Sequence, residues 1–215
     1  EKYHQRAISA VEKIKEFELG ESEFLVENLC EGSLHSGKLL MKLVEKCHEL
    51  KVEFLCGTEV ESFSETENEI EIKINENLIL KSEKVIFCTN TFSSKFLEYE
   101  EIIPARGQII LTEPIENLKL KGTFHYDEGF YYFRNLGNRI LLGCARNQDF
   151  ETEKTTNFET TEFLQNHLEQ FLKNVILPNQ DFKIAMRWSG IMAMGSEKTP
   201  IVKQISERQF CAVRL

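Results

Sequence analysis

Residues 69–74 alternate charged residues with Ile70, Ile72 and Ile74, and this period of two restricts the chain to folds that contain a half-exposed sheet. Residues 75–77 carry a turn signal, and residues 78–80 return as the second strand of a hairpin. Residues 85–88 are continuously apolar, which is typical of a strand covered on both faces. The segment therefore predicts a hairpin that leads into a buried strand.

Two stretches before this hairpin have helical spacing. Apolar residues three and four apart predict an amphipathic helix over residues 4–17. A second helix is predicted over residues 36–50, with Ser36 as its candidate cap and an apolar stripe opposite lysines and glutamates. Residues 18–35 are irregular, and residues 52–63 are predicted to be extended on both sides of Gly57.

The second half of the chain predicts a different arrangement, made mainly of short antiparallel strands. These are expected at residues 107–112, 122–126, 130–134 and 139–142, with a turn at residues 136–138. A helix over residues 163–172 ends before Pro178, and strands follow at residues 182–191, 201–202 and 210–213. Because no linker rich in Gly or Ser separates the halves, we expect two interleaved units.

Charge and hydropathy exclude two kinds of partner. The net charge is −9 and no stripe of Lys and Arg is present, so the chain lacks the cationic surface that nucleic acid requires. Apolar runs extend over a handful of residues, which is too short for a membrane span. A small molecule is the expected partner.

The cysteines and histidines do not form a pattern for metal or disulfide chemistry. The six cysteines are far apart, without a CxxC pair, and are interpreted as reduced thiols of a cytoplasmic protein. Cys47, Cys56 and Cys88 lie in apolar patterns and are expected to be buried. His35 and His48 lack a second ligand at short spacing, so no metal site is predicted. No serine lies in a GxSxG motif, which disfavours a serine hydrolase.

Four stretches carry motifs in a fixed order. The first is the 36–50 helix followed by an extended segment that contains Val60, and the second is Lys84-Val85-Ile86-Phe87-Cys88-Thr89-Asn90-Thr91. The third is Pro104-Ala105-Arg106-Gly107-Gln108, and the fourth runs from Tyr131-Tyr132-Phe133-Arg134 through Gly143 and Arg146 to Arg187-Trp188-Ser189-Gly190-Ile191. Together they resemble the D-amino-acid-oxidase-type family of FAD-dependent oxidoreductases, which includes glycine, sarcosine and gamma-glutamylputrescine oxidases.

This resemblance implies FAD as the cofactor and assigns residues to it. Val60 matches the family's valine at the adenine end of FAD, and Cys88, Thr89 and Asn90 match the turn that closes over the dinucleotide. Asn90 stands where the family has glycine, and the turn is expected to survive because Asn tolerates a left-handed backbone. Arg106, in the Pro-x-Arg-Gly-Gln stretch, is also assigned to the cofactor.

Two departures from the family pattern are informative. No GxGxxG motif for the pyrophosphate occurs, and the chain starts at Glu1 and stops at Leu215, so we expect the family's central portion, inactive by itself. Met192 stands where the amino-acid oxidases of the family have an arginine that binds the substrate carboxylate. The substrate is therefore expected to be an amine without that carboxylate, or an amine whose carboxylate is held from elsewhere. The candidates for holding it are Arg134, Arg146 and Arg187.

An aromatic cluster on two adjacent predicted strands supplies the remaining candidates. His125, Tyr131 and Arg187 are the candidate catalytic residues, and Tyr132, Arg134 and Met192 are the candidate substrate contacts. If the two strands pair as a hairpin, Tyr131 and Phe133 share one face of the sheet and Tyr132 lies on the other. Sheet packing is the alternative for each tyrosine, and ion pairing is the alternative for Arg106.

The predicted architecture is α+β, a mixed, mostly antiparallel substrate-domain sheet with helices, joined to part of an FAD-binding α/β domain. Residues 1–33 form a helical lead-in, 34–96 and 193–215 belong to the FAD-binding side, and 97–192 form the substrate-binding domain. The predicted function of the parent protein is FAD-dependent oxidation of a C–N bond in a small amine or amino acid. The alternatives are a non-catalytic interaction module and an FAD dehydrogenase that passes electrons to a quinone.

Overall fold

The computed structural model of the protein describes residues 7–96, 102–197 and 199–214. Its α-helices are α1 (Glu12–Glu16), α2 (Ser36–Glu49) and α3 (Glu162–Phe171). Its strands are β1 (Ala7–Ser9), β2 (Val26–Asn28), β3 (Ser62–Glu65), β4 (Ile70–Asn75), β5 (Leu78–Ser82), β6 (Val85–Phe87), β7 (Ile103–Thr112), β8 (Thr123–Tyr126), β9 (Tyr131–Leu136), β10 (Arg139–Cys144), β11 (Ile184–Met194), β12 (Ile201–Gln204) and β13 (Gln209–Val213).

The strands form mostly antiparallel sheets, which confirms the predicted α+β class. The largest sheet has the order β11-β7-β10-β9-β8, and two three-stranded sheets have the orders β3-β4-β5 and β12-β13-β6. Most pairs with a described register are antiparallel, and β13 with β6 is parallel.

The chain divides into two compact units that interleave in sequence. Unit 1 contains residues 1–34 and 106–191, and unit 2 contains residues 35–105 and 192–215. The sequence placed the corresponding boundaries at residues 33, 96 and 192.

The core of unit 1 lies between its five-stranded sheet and α3. Thr161 caps α3, because its side chain accepts a hydrogen bond from the backbone N–H of Leu164. Leu164, Leu168 and Leu172 follow at four-residue spacing and are fully buried against Ile140 and other residues of the sheet. This helical face covers one side of the sheet.

The start of unit 1 differs from the predicted helical lead-in. Within residues 4–17, β1 pairs antiparallel with β2, and the helix α1 is limited to five residues. Val11 begins α1 without a side-chain cap, and residues 1–6 lie outside the described residues. The prediction of one continuous helix is wrong, because residues 7–9 pair as a strand with residues 26–28 and only the residues that follow are helical.

Unit 2 contains the predicted hairpin and the buried strand. Ile72 of β4 lies opposite Phe63 of β3 and Leu80 of β5. Phe87 of β6 and Cys211 of β13 are buried in a small cluster against Phe63 and its neighbours. A tilted aromatic contact helps to hold this cluster together, since the ring centroids of Phe63 and Phe87 are 4.9 Å apart with 52° between the ring planes.

The helix α2 forms as predicted, but two details of this part of unit 2 differ. The cap is His35 instead of Ser36, since the His35 ring accepts a hydrogen bond from the backbone N–H of Lys38. Residues 52–61 form no strand within the described part of the chain, so the predicted extended pairing is wrong there. The apolar stripe of α2 is exposed, with Leu40 63% and Leu43 54% accessible.

All six cysteines are free thiols. Cys144 and Cys211 are buried, whereas Cys56 and Cys88 are exposed, so the expectation of burial for the latter two is wrong. Among the described residues, no helix combines the length and apolar character needed to cross a bilayer.

Candidate functional site

The β8–β9 hairpin of unit 1 sorts the predicted site residues onto two faces of the sheet. Opposite residues in the register are Tyr126 with Tyr131, Phe124 with Phe133, and His125 with Tyr132. Side chains of directly opposed residues share a face, and the face alternates along each strand. The structure therefore confirms that Tyr131 and Phe133 share one face and that Tyr132 lies on the other.

Tyr131 lies on the face that α3 covers. Its ring stacks on Phe171 with 4.4 Å between centroids, and the residue is 7% exposed. Burial raises the pKa of its hydroxyl, with a smaller contribution from the charge of Asp127. Because Tyr131 is part of the core, this geometry does not support its predicted catalytic role.

Arg106 also lies on the α3 side and is held in a buried ion pair. Its guanidinium forms a fork on the Glu153 carboxylate, and both side chains are almost inaccessible. Nη1 donates to the backbone carbonyls of Asn157 and Glu159. The hydrogen bonds of Glu153 raise the pKa of Arg106. All the nitrogens are engaged, so the geometry does not support direct contact between this side chain and a cofactor.

The ion pair continues into a buried polar network. Gln108 donates through Nε2 to Glu153 and to Thr161, and its Oε1 accepts from Gln165 of α3. Buried polar groups that are fully paired stabilise a specific arrangement. The network therefore fixes β7, α3 and the loop between residues 153 and 161.

Arg187 of β11 belongs to this side as well. Its Nη1 donates to Gln165 Oε1 at 2.7 Å, and its Nη2 forms an ion pair with Glu169 of α3. The structure thus places Arg187 against the helix, apart from Tyr132 on the other face. A catalytic role for Arg187 remains a sequence-based prediction.

The opposite face of the sheet, here called the donor face, contains His125, Tyr132 and Arg134. Tyr132 lies across Gly143 of β10: a Cβ built on Gly143 would be 2.8 Å from both Cζ and the hydroxyl oxygen of Tyr132. Burial raises the pKa of Tyr132 to about 12, and the nearby Cys144 contributes less. The hydroxyl therefore stays protonated at neutral pH and can donate a hydrogen bond.

Arg134 is oriented by backbone carbonyls. Its Nη1 donates to the Leu34 carbonyl at 2.7 Å, and its Nε donates to the Asn135 carbonyl at 3.3 Å. Within the described residues, Nη2 has no hydrogen-bond or ion-pair partner. One edge of the guanidinium is fixed, and the other is available to a ligand.

His125 is exposed at the edge of the donor face, beside a cleft of about 570 Å³. The cleft lies between β8 and the N-terminal segment of unit 1, and Phe17, Leu25, Phe124 and Glu31 contribute to its lining. Ser33 and Thr123 meet through their hydroxyls at 2.5 Å. A small ligand fits this volume.

Two residues of the donor face had no predicted role in a site. Gly143 leaves room for the Tyr132 ring, and the signal that could have shown this is a glycine within a strand. Arg139 shares the face by register and donates to the Thr112 carbonyl. Leu141 lies opposite Arg134, and residues two apart on a strand share a face, so the hairpin register would have placed Arg139 on the donor face.

In unit 2, the predicted cofactor residues lie at the carboxyl end of β6. Phe87, the last residue of β6, lies opposite Cys211 of the parallel strand β13, and Asn90 Oδ1 accepts a hydrogen bond from the backbone N–H of Arg214 at 3.0 Å. Asn90 has φ 47°, which confirms the expected left-handed turn. Cys88 and Thr89 are exposed, and Thr89 Oγ1 lies 2.8 Å from Ser93 Oγ.

The hydroxyl of Thr91, in the same turn, lacks a hydrogen-bond partner among the described residues although the residue is 1% exposed. An unpaired buried hydroxyl at the carboxyl end of parallel strands fits a polar ligand such as the cofactor. Val60 is half-buried, and the adjacent Glu59 forms an ion pair with Lys95 of the same turn at 3.1 Å. Met192 lies in β11 and is 36% exposed.

Among the described residues, no group of three His, Cys, Asp or Glu side chains is arranged to hold a metal ion. The candidate sites are therefore the donor face of unit 1 and the carboxyl end of β6 in unit 2.

Comparison with solved structures shows the same fold in several flavoproteins. L-proline dehydrogenase from P. horikoshii is 20% identical with a TM-score of 0.78, over 96% of this chain and 58% of that one. Glycine oxidase from Bacillus cereus ATCC 14579 is 13% identical with a TM-score of 0.80, over 99% and 60%. Iminodiacetate oxidase from Chelativorans sp. BNC1 is 16% identical with a TM-score of 0.75, over 97% and 58%. The chain thus spans less than two thirds of each of these proteins.

No curated protein sequence matches the chain. The family model of the FAD dependent oxidoreductases, DAO, matches residues 3–213. This match covers nearly the whole chain and agrees with the order of motifs in the sequence. The protein therefore belongs to the DAO family of FAD-dependent oxidoreductases.

Proposed function

We propose that the full-length protein uses FAD to oxidise a C–N bond of a small amine or amino acid. The observation that carries this proposal is the donor face, which gathers Tyr132, Arg134 and His125 on one side of the sheet, and His125 also lines a cleft of about 570 Å³. Hydrogen-bond donors that share one face of a sheet are suited to orienting a small substrate. In this proposal unit 1 contacts the substrate and unit 2 contacts the cofactor.

Val60, Cys88, Thr89 and Asn90 would hold part of the cofactor. Their support is the exposed turn at the carboxyl end of β6, together with the unpaired hydroxyl of Thr91. When bound, the flavin accepts a hydride from the carbon next to the substrate nitrogen. The task of the chain's own residues is to bind the substrate, orient it and exclude water.

Tyr132 and His125 have different tasks in this proposal. Because the pKa of Tyr132 is about 12, its hydroxyl acts as a neutral donor and is unsuited to remove a proton. His125 is exposed beside it and is the candidate proton acceptor, since imidazole side chains exchange protons readily. Met192, a candidate substrate contact, contributes an apolar surface for the substrate in this proposal.

Two of the structural neighbours are named for small amino-acid substrates. One is a glycine oxidase and another is an L-proline dehydrogenase, and both share the fold with this chain. Since the pair includes an oxidase and a dehydrogenase, the test below follows reduction of the flavin itself, a step that precedes electron transfer to either oxygen or a quinone.

The product of the full open reading frame provides the direct test. We expect a yellow protein whose flavin absorbance is bleached anaerobically by an amine or amino acid. A Tyr132→Phe variant is expected to raise KM, whereas Tyr126→Phe, a change of the same size on the α3 side, leaves KM unchanged. A colourless protein that also ignores added FAD would favour a non-catalytic interaction module and contradict the proposal.

A further inference from the structure

The cleft of about 570 Å³ in unit 1 lies between two strand edges that no described strand covers. β8 is the outermost strand of the five-stranded sheet, and β2 forms a two-stranded sheet with β1. Residues 25–28 line the cleft on one side and residues 121–125 on the other. Consecutive residues line a strand edge, whereas alternate residues line a face, because side chains alternate between faces. The cleft therefore follows both open edges.

The hydrogen-bond pattern shows which backbone groups of β8 face the cleft. In β10, the backbone N–H of Ile140 donates to a threonine hydroxyl of β7 at 2.9 Å and therefore points away from β9. Backbone direction alternates along antiparallel strands, which turns Phe133 of β9 towards β8 and pairs it with Phe124. The N–H and C=O groups of Thr123 and His125 consequently face the cleft. Such groups are ready to pair with another strand.

The helix α1 forms the floor of the cleft and contacts both strands. Lys13 of α1 forms an ion pair with Glu27 of β2 at 2.7 Å. One turn later, Phe17 packs edge-on against Phe124 of β8, with 5.8 Å between the ring centroids. The helix thus bridges the two strands and leaves their edges open.

The size of the cleft fits one strand. Four extended residues, the number that lines the β2 side, span about 13 Å, and a strand occupies about 5 Å of a sheet's width and about 10 Å of its thickness. These dimensions give about 600 Å³, close to the volume of the cleft. Phe24 and Val26 beside it are 81% and 66% exposed, and an inserted strand would supply apolar contacts for them.

We propose that an extended segment of the full-length protein, from outside residues 1–215, inserts between β2 and β8 and joins the two sheets of unit 1 into one. The inserted strand pairs on both sides, whereas an edge strand of another folded sheet has a single free side. A segment of the same protein also has a high effective concentration at the cleft. Length is available in the solved relatives, since the shared fold covers 58% of the L-proline dehydrogenase and 60% of the Bacillus cereus glycine oxidase.

Insertion would extend the donor face. The new strand lies next to His125, so every second side chain of the segment projects on the same face as the His125 ring. The side chains between them point towards Phe17 and Phe124, and the segment is therefore expected to alternate polar and apolar residues. Strand pairing is independent of flavin chemistry, so it holds or fails separately from the proposed function.

Residue-resolved amide hydrogen exchange in the full-length protein tests the insertion. We expect the amides of Thr123 and His125 to exchange at rates within about tenfold of the Phe124 amide, which pairs with β9. Faster exchange of both amides would show an open edge, leave the cleft to a small ligand and overturn the inference.

A proline substitution provides a second measurement. Thr123→Pro removes an amide that faces the cleft, and proline is tolerated at the first residue of an open edge strand. Thr123→Val is the matched control, because it removes the same hydroxyl contact with Ser33 and keeps the amide. We expect the midpoint of thermal unfolding to be several degrees lower for Thr123→Pro than for Thr123→Val. Equal midpoints would contradict strand pairing.

Cross-linking identifies the inserted segment. A benzophenone amino acid replaces Val26, which borders the cleft and is exposed. We expect a cross-link within one molecule to a peptide from outside residues 1–215. The inference is wrong if the cross-links join two copies or reach no such peptide. Anaerobic bleaching of the flavin in the same preparation reports on the proposed function independently.

Discussion

The α3 side and the donor face of the unit 1 sheet are built from the same strands but are completed in opposite ways. On the α3 side, Tyr131 stacks on Phe171 and the charge of Arg106 is met by Glu153. On the donor face, Tyr132 covers Gly143 and Arg134 keeps a nitrogen available. Neighbouring residues in the sequence thus build the core on one side and, on the other, a face for which we propose a role in substrate binding.

This difference shows that residue type alone does not identify a site. By residue type alone, the two successive tyrosines are equally suited to a catalytic role, and so are the four arginines of the sheet. On the α3 side, partners from the loop after β10 and from α3 form hydrogen bonds with Arg106 and Arg187. The following predictions test this contrast, from the largest expected effect to the smallest.

The largest effect is expected from Glu153→Gln, which leaves the buried Arg106 charge without its counter-charge. We expect the free energy of unfolding to fall by about 3–5 kcal/mol, measured by urea denaturation with an unchanged m value. Glu49→Gln removes the same group from the exposed Lys46–Glu49 pair of α2, where the loss should stay below about 0.5 kcal/mol. Equal losses would mean that the Arg106 pair is not desolvated.

A pH titration tests the donor face. The folded pKa of Tyr132 is about 12 and the unfolded value is about 10. The folded state therefore binds the proton more tightly, so stability is complete below pH 10 and falls as the pH rises towards 12, by roughly 2 kcal/mol. Tyr132→Phe should remove that part of the slope. Ultraviolet absorbance should show a tyrosine titrating near pH 12 that is missing in the variant.

Gly143→Ala tests the platform under Tyr132. The new Cβ would lie 2.8 Å from the ring and 3.1 Å from the Gln108 carbonyl, so we expect a loss of about 1–3 kcal/mol. Gly190→Ala in β11 has no heavy atom within 4 Å of the new Cβ and is the matched control. A double-mutant cycle with Tyr132→Ala should recover part of the loss, and strict additivity would show that the ring is not in contact.

The smallest effect is expected at His125. The residue is exposed, so His125→Gln should change the free energy of unfolding by less than about 0.5 kcal/mol. Chemical denaturation measures this directly. A loss above 1 kcal/mol would place His125 in the framework of unit 1 instead of at an accessible edge.

The strand patterns of the second half were predictable because they depend on neighbours in sequence. Alternation placed Tyr131 and Tyr132 on opposite faces, and the turn at residues 136–138 set the β9–β10 hairpin. The helix α3 could be predicted from its apolar spacing. The left-handed conformation of Asn90 followed from the chemistry of its side chain.

The first helix was wrongly predicted for a physical reason. Apolar residues at three- and four-residue spacing also fit a strand and a short helix in succession, and β1 pairs with a segment 17 to 21 residues away. Pairing of this kind depends on the folded position of β2. Local periodicity does not contain that information.

Sequence by itself determined the family, the mostly antiparallel α+β architecture and the separation of candidate residues onto two faces. Only the tertiary structure decided which face is covered. Glu153 reaches Arg106 across 47 residues, and Gln165 and Glu169 reach Arg187 from α3. These partners are distant in sequence, so folding alone brings them to one arginine and leaves Arg134 available.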